Sequence, residues 1–277
     1  MAQISADRIA VSTWSLHRFL GVTYPHDLTT TQIGPAKETY GEGEESLLGL
    51  PSALANHGYH RLEIVSFHLR SRDPVYLEEL RDQLRVSKVR LQTLLIDAGD
   101  ITHPEDGARD TAWIASWIEI ANALGADNAR IIAGKQKPSR ETLDRSVKAL
   151  KSLADGNAGS PVRLVTENWF DLLSEPEHVH YLLDQLDGRV GLLGDFGNWG
   201  GDNKYEDLAS IFGRAELCHA KATFIDGDLD EADYGACVTL AEEAGYKGPY
   251  TLIFDNEIPG EWHGLAAERD FILSRDV

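Results

Sequence analysis

Four short apolar segments in the second half of the chain each run into a residue that can bind a cation or move a proton. Leu164-Val165-Thr166 leads to Glu167, Leu192-Leu193-Gly194 to Asp195, Leu217-Cys218 to His219, and Leu252-Ile253-Phe254 to Asp255. Ionised groups do not stay beside apolar segments without compensation. Carboxylates brought to one rim repel each other unless a cation neutralises them. Oxygen ligands with one imidazole suit Mn2+, Mg2+, Co2+ or Zn2+. A single acid in such a place usually faces solvent, but four on successive segments, each about one βα unit apart, argue for a shared site. In the last segment Asp255 is preferred by spacing, with Glu257 as the alternative.

Other side chains cluster around these ends. Lys221 follows His219 by two residues and so points to the same side of a strand; it could stabilise a developing oxyanion or balance the acids. Glu63 lies in an earlier apolar segment, with His68 just beyond it as a candidate acid/base or partner for a sugar hydroxyl. Arg130 is expected to pair with Glu167 or Glu63, since buried charges are normally paired. Trp14 and Trp169 stand among several aromatics near the segment ends, where a ring face suits the C–H face of a sugar. The loop after the third segment, Ile225 to Asp233, holds five acids and no base. A phosphate would meet like charge there, so an unphosphorylated ligand is expected.

The elements that must position these residues alternate along the chain. Strand patterns fall at Arg8–Thr13, Arg61–Val65, Leu91–Ile96, Asn128–Ile132, Val162–Thr166, Val190–Gly194, Glu216–Thr223 and Tyr250–Phe254. Most are apolar at nearly every position, as strands covered on both faces are. Helical patterns lie between them at 45–57, 74–87, 107–124, 139–154, 175–187, 205–213, 230–244 and 259–274. Ser139 and Ser174, each followed by acid in the first turn, read as helix caps. Gly58, Gly125, Gly188 and Gly245 read as helix stops. Eight such alternations predict an α/β fold, a (β/α)8 TIM barrel, formed as one domain over residues 1–277. An open doubly wound sheet usually carries a Gly-rich phosphate turn after its first strand, and Ser12-Thr13-Trp14 stands there instead. Active sites of barrels form at the C-terminal ends of the strands, where the four candidates fall. Residues 21–44 lack periodicity and read as an excursion over that face.

Composition narrows the function classes. With 277 residues, 42% hydrophobic and 26% charged, the chain can bury a large core. Its formal net charge of −19 repels phosphate backbones and anionic bilayers, so neither nucleic acid nor membrane is an expected partner. Two cysteines, Cys218 and Cys237, make no disulfide framework, and Cys218 reads as a buried thiol. The first residues lack a basic segment followed by an apolar one, so a cytoplasmic location is expected. The sequence also leaves room for a homo-oligomer.

Val165-Thr166-Glu167-Asn168, Gly194-Asp195-Phe196-Gly197-Asn198, Cys218-His219-Ala220-Lys221 and Gly245-Tyr246-Lys247-Gly248-Pro249 resemble the successive signatures of the xylose isomerase-like TIM-barrel superfamily, the sugar phosphate isomerases/epimerases. The resemblance spans nearly the whole chain. It implies one divalent ion, Mn2+ foremost, held by a Glu, an Asp, a His and a final Glu; Glu167, Asp195 and His219 match the first three. The fourth position departs from the pattern, because Ile253 stands where the family has Glu. A His that often follows the Asp by three is Asn198 here.

Together these features predict a divalent-metal-dependent sugar isomerase/epimerase. It would abstract a proton beside the carbonyl of an unphosphorylated keto-sugar or cyclitol, with Glu167 as base and Asp255 or His68 returning the proton. Trp14, Lys221, Trp169 and Glu257 are the expected substrate contacts. Expelling a β-substituent would instead make a lyase, of the inosose dehydratase or 3-keto-glycoside eliminating kind. A type IV endonuclease-like phosphodiesterase is disfavoured by charge, and a non-catalytic subunit is the remaining alternative.

Overall fold

The computed structural model describes residues 3–275. Among the described residues, eight parallel strands close into a barrel: β1 (Ile9–Ser12), β2 (Arg61–Val65), β3 (Arg90–Ile96), β4 (Asn128–Ile131), β5 (Arg163–Glu167), β6 (Gly191–Asp195), β7 (Ala215–Lys221) and β8 (Tyr250–Ile253). Each strand pairs with its neighbours in sequence, and β1 closes on β8 through Ile9↔Tyr250, Ala10↔Thr251 and Val11↔Leu252. The fold is therefore the expected (β/α)8 TIM barrel. All eight strands begin and end within two residues of the ranges expected from pattern alone; the largest difference is in β7, which stops at Lys221, before Thr223.

Eight helices cover the barrel: α1 (Leu50–Asn56), α2 (Pro74–Ser87), α3 (Gly107–Leu124), α4 (Arg140–Gly156), α5 (Pro176–Leu186), α6 (Lys204–Phe212), α7 (Glu231–Glu243) and α8 (Glu261–Ser274). Local chemistry fixes their ends. Asp73 caps α2 by accepting from the Val75 amide at 2.8 Å, with Pro74 in the first turn. Tyr76, Leu77, Leu80 and Leu84 of that helix face the barrel wall. Ser139 and Thr142 form a reciprocal capping box on α4, and Gly125, at φ 71°, ends α3.

The interior follows the two-residue pleat. Val65, Leu95, Val165, Leu193 and Leu217 form an apolar layer inside the barrel. The next inward position toward the C-terminal end of β5, β6 and β7 is Glu167, Asp195 and His219. An apolar floor thus lies under Glu167, Asp195 and His219.

The 21–44 segment does leave the barrel after β1, but over one flank. Its two arms meet at Thr23↔Lys37 and His26↔Ile33. His26 Nε2 lies 2.9 Å from Ser66 Oγ, and its ring packs against Trp113 and Trp117. The returning arm crosses the start of the segment at Gly21 and Gly43, both at positive φ. A Cβ on Gly21 would come within 2.2 Å of the Gly43 nitrogen, so only glycine fits. The acidic loop after β7 also contains structure the pattern did not reveal, a two-stranded hairpin of Phe224–Ile225 with Asp228–Leu229 turning on Asp226-Gly227.

Candidate metal centre

Glu167, Asp195 and His219 come together at the C-terminal mouth of the barrel. One ligand atom from each lies within 4.8 Å of the other two, and all three residues are buried. His219 Nδ1 lies 3.4 Å from Glu167 Oε1 and 3.5 Å from Asp195 Oδ2. The other ring nitrogen, Nε2, donates to Glu63 Oε2 at 2.9 Å. Glu63 is fully buried inside β2 and also accepts from Gln92 Nε2 at 2.9 Å and Thr93 Oγ1 at 2.8 Å. A carboxylate behind an imidazole fixes its tautomer and leaves the forward nitrogen free to ligate.

Each carboxylate is held in turn. Asp195 Oδ1 accepts from the backbone amides of Gly197 and Asn198, at 2.6 and 2.9 Å. Asn168 bonds the Asp195 backbone with both ends of its amide. Asn198 Nδ2 donates to Glu167 Oε1 at 2.8 Å. Arg130, buried on β4, forms an ion pair with Asp97 and lies with Nε 3.1 Å from Glu167 Oε2, its guanidinium over the Trp169 ring. That Nε is poorly aligned, so neither it nor Glu167 Oε2 has a hydrogen-bond partner among the described residues.

The electrostatics follow from burial and neighbours. Burial alone would raise the Glu167 pKa, but Arg130 and His219 outweigh it and hold it at about 2. Burial would lower the His219 pKa, but Glu167 and Glu63 carry it well above the ordinary imidazole value. Burial dominates at Asp97, whose pKa is raised despite Arg130. Glu63, Asp97, Glu167 and Asp195 set four carboxyl groups against the single guanidinium of Arg130. Two carboxylates and an oriented imidazole, with this excess of carboxyl groups, fit a divalent cation.

The cavity over the triad measures about 90 Å³ and is lined by Trp14, Arg130, Trp169, Asn198 and Lys221 among others. Trp14, Trp169 and Lys221 thus stand where the sequence placed them. Asp255 does not join the triad. On β8 the side chain that lines the cavity is Ile253, paired in register with Lys221. Asp255 lies two residues beyond, about 7 Å further along an extended chain, on the exposed rim, where Lys221 Nζ donates to it at 3.2 Å. Glu257 is exposed in the following loop. His68 is buried away from the triad cavity, with Nδ1 2.9 Å from Thr13 Oγ1. Arg130 pairs with Glu167 as expected, and with Asp97 rather than Glu63. Asp97 and Asn198 were not foreseen as parts of the site. The pleat was the available signal for Asp97, two residues after the inward Leu95. Cys218 is the buried thiol expected of it.

The model of the xylose isomerase-like TIM-barrel family matches residues 51–272, and the chain belongs to that family. Among solved structures it is similar to the D-allulose 3-epimerase from Methylomonas sp. in complex with D-allulose, at 17% identity and TM-score 0.67, over 100% of this chain and 99% of that one. A xylose isomerase-like TIM-barrel protein from Mycobacterium smegmatis, in complex with magnesium, is 16% identical with TM-score 0.69 over 97% of each chain. The 3-keto-D-glucoside 4-epimerase from E. coli is 14% identical with TM-score 0.67, over 95% of this chain and 99% of that one. No curated protein matches the sequence. Among the described residues, no helix is long and apolar enough to cross a membrane.

Proposed function

We propose that the protein is a divalent-metal-dependent sugar isomerase or epimerase that removes a proton beside the carbonyl of an unphosphorylated keto-sugar or cyclitol. Glu167, Asp195 and His219 Nδ1 would hold the ion, with Mn2+ foremost and Mg2+, Co2+ or Zn2+ as alternatives. When bound, the ion supplies Lewis acidity that makes a C–H next to a carbonyl easier to deprotonate.

The observation that carries this reading is the division of labour within one carboxylate. Glu167 Oε1 is fixed by Asn198, while Oε2 is buried and has no hydrogen-bond partner among the described residues. One oxygen faces the triad for ligation, and the other, against the Arg130 guanidinium, is the one left to accept a proton by giving up that contact. Arg130 and His219 hold the Glu167 carboxyl below the usual carboxylate range, so it is present in the base form. Arg130 keeps the carboxylate oriented and stacks under Trp169. Across the cavity, Lys221 can donate to a substrate oxygen, and Asp255, on the exposed rim behind it, would return a proton that it takes from solvent. Delivery to the opposite face epimerises, and delivery to the adjacent carbon isomerises. Similarity to proteins solved with D-allulose and with magnesium supports the substrate class and the ion. The acids of the loop after β7 do not line this cavity; Asp233 pairs with Lys204 and Asp230 caps α7. The preference for neutral substrates therefore rests on the buried carboxylates of the site.

Turnover in D₂O should place deuterium on the carbon beside the carbonyl. Glu167→Gln should reduce that exchange by about 10²–10⁴-fold, the usual share of a general base, while an amide oxygen can still ligate. Full exchange in Glu167→Gln, or a preference for the phosphorylated sugar, would overturn the reading.

A further inference from the structure

A second cavity, of about 320 Å³, lies beneath the arms of the excursion and shares no lining residue with the metal centre. Small-molecule pockets span roughly 300–1,000 Å³, so this space alone can enclose one monosaccharide-sized molecule. Trp14 and Phe67, in edge contact at 6.1 Å, stand on the metal-centre side of it. One wall is aliphatic, made by Leu20, Val22 and Leu47. His68 stands in the lining, 2% exposed, and its Nε2 has no hydrogen-bond partner among the described residues. A buried polar group without a partner is costly, and a ligand that accepts from it removes that cost.

The state of that imidazole follows from its neighbour. Thr13 Oγ1 already accepts from the Val65 amide at 2.9 Å. His68 Nδ1 lies 2.9 Å from the same oxygen, and with the hydroxyl proton directed at Nδ1 the ring hydrogen sits on Nε2, toward the cavity. Burial lowers the His68 pKa to about 3, so the ring is a neutral donor. The cavity edge carries Glu42, Glu44 and Glu45 against one cation, Arg70, which lies over the Tyr76 ring. An anion would meet an excess of negative charge there. A bare cation would face the Nε2 hydrogen. A neutral polyol satisfies every wall: a ring or hydroxyl oxygen accepts from His68, its hydroxyls donate to the glutamates, and its C–H face covers the leucines.

We propose that this cavity is a second site for a neutral sugar, separate from the metal centre and anchored by His68 Nε2. The test uses the full chain without added metal and methyl α-D-glucopyranoside as probe, a glycoside with no free carbonyl to turn over, read by saturation-transfer NMR. The signal should persist in Asp195→Asn, which disables the metal centre, so failure of the proposed function and failure of this site remain distinguishable. Binding should weaken about ten-fold or more in His68→Leu, the loss of one buried hydrogen bond. It should vanish in Ser46→Trp, whose indole fills the cavity from its exposed rim; this variant decides the matter if His68→Leu fails to fold. The proposal is overturned if wild type gives no signal or the signal survives Ser46→Trp. Loss in Asp195→Asn, or competition by inorganic phosphate, would overturn it as well.

Discussion

Among the described residues two glutamates are completely buried, and their surroundings push them in opposite directions. Glu63 lies inside the barrel with His219, Gln92 and Thr93 around its oxygens, and these partners outweigh burial to hold its pKa below the usual carboxylate range. Glu268 lies between α8 and the outer wall of the barrel, and neither of its oxygens has a hydrogen-bond partner among the described residues. Burial drives its pKa well above the usual range, and the nearby Ile253 backbone offsets little of that. Burial is equal at the two places, so it cannot be what distinguishes them. The partners do: the barrel interior is built to keep a negative charge behind an imidazole, whereas the helix–sheet layer accepts the same side chain only in its neutral form.

The contrast breaks most severely if the imidazole is removed. His219→Ala takes away one ligand of the triad and the donor to Glu63, so Mn2+ affinity should fall more than about 100-fold, beyond what outer-shell changes cause. Titration with Mn2+ followed by electron paramagnetic resonance measures this, and retained tight binding would dismiss the triad as a metal centre. Glu63→Gln keeps an oxygen that can accept from His219 but removes the charge. The expected loss of Mn2+ affinity is about ten-fold, at the low end of outer-shell effects; an unchanged affinity would reduce Glu63 to packing.

The third change sharpens the other side. A raised folded-state pKa means that, above the unfolded value of about 4.5, the unfolded chain binds fewer protons at Glu268 than the native protein does. Stability contributed at this position therefore falls as pH rises from that value toward the folded one. Glu268→Gln, which cannot ionise, should flatten the decline of stability from about pH 5 upward and leave the variant more stable than the wild type at the upper end of that range. Urea unfolding across that range is the measurement. A destabilised variant would mean that Glu268 holds a charge-compensating partner after all.

What the sequence disclosed, and what it hid, follows the same line between local and distant causes. The limits of α2 and α3 were legible because Asp73-Pro74 and Gly125 act within one turn of the helix they bound. The triad was legible because β5 and β6 end on Glu167 and Asp195, β7 carries His219 two residues before its end, and the pleat does the rest. Asp255 was expected in the ligand set by spacing, but β8 ends at Ile253 and the chain then climbs to the rim. His68 follows β2 closely in sequence, yet a tight helical turn over Ser66–His68 swings its ring toward Thr13. The Asp97–Arg130 pair joins different strands, and the excursion takes its course from contacts to Ser66, Trp113 and Trp117. Contacts of that range leave no mark in any short window of sequence.

The order in which the strands supply the site has a kinetic consequence. The three ligands come from three consecutive βα units, so bringing them together closes only short loops. The β1–β8 seam joins Ile9 to Tyr250 and closes a loop spanning most of the chain. Assembly of the ligand cluster can therefore precede completion of the ring. During refolding, pulse-labelled hydrogen exchange should protect the amides of β5 to β7 before those of β1 and β8. Simultaneous protection would show instead that the circle closes in one cooperative step. In the staged case, Mn2+ present during refolding would act on a half-formed barrel, as a template around which the remaining strands are recruited.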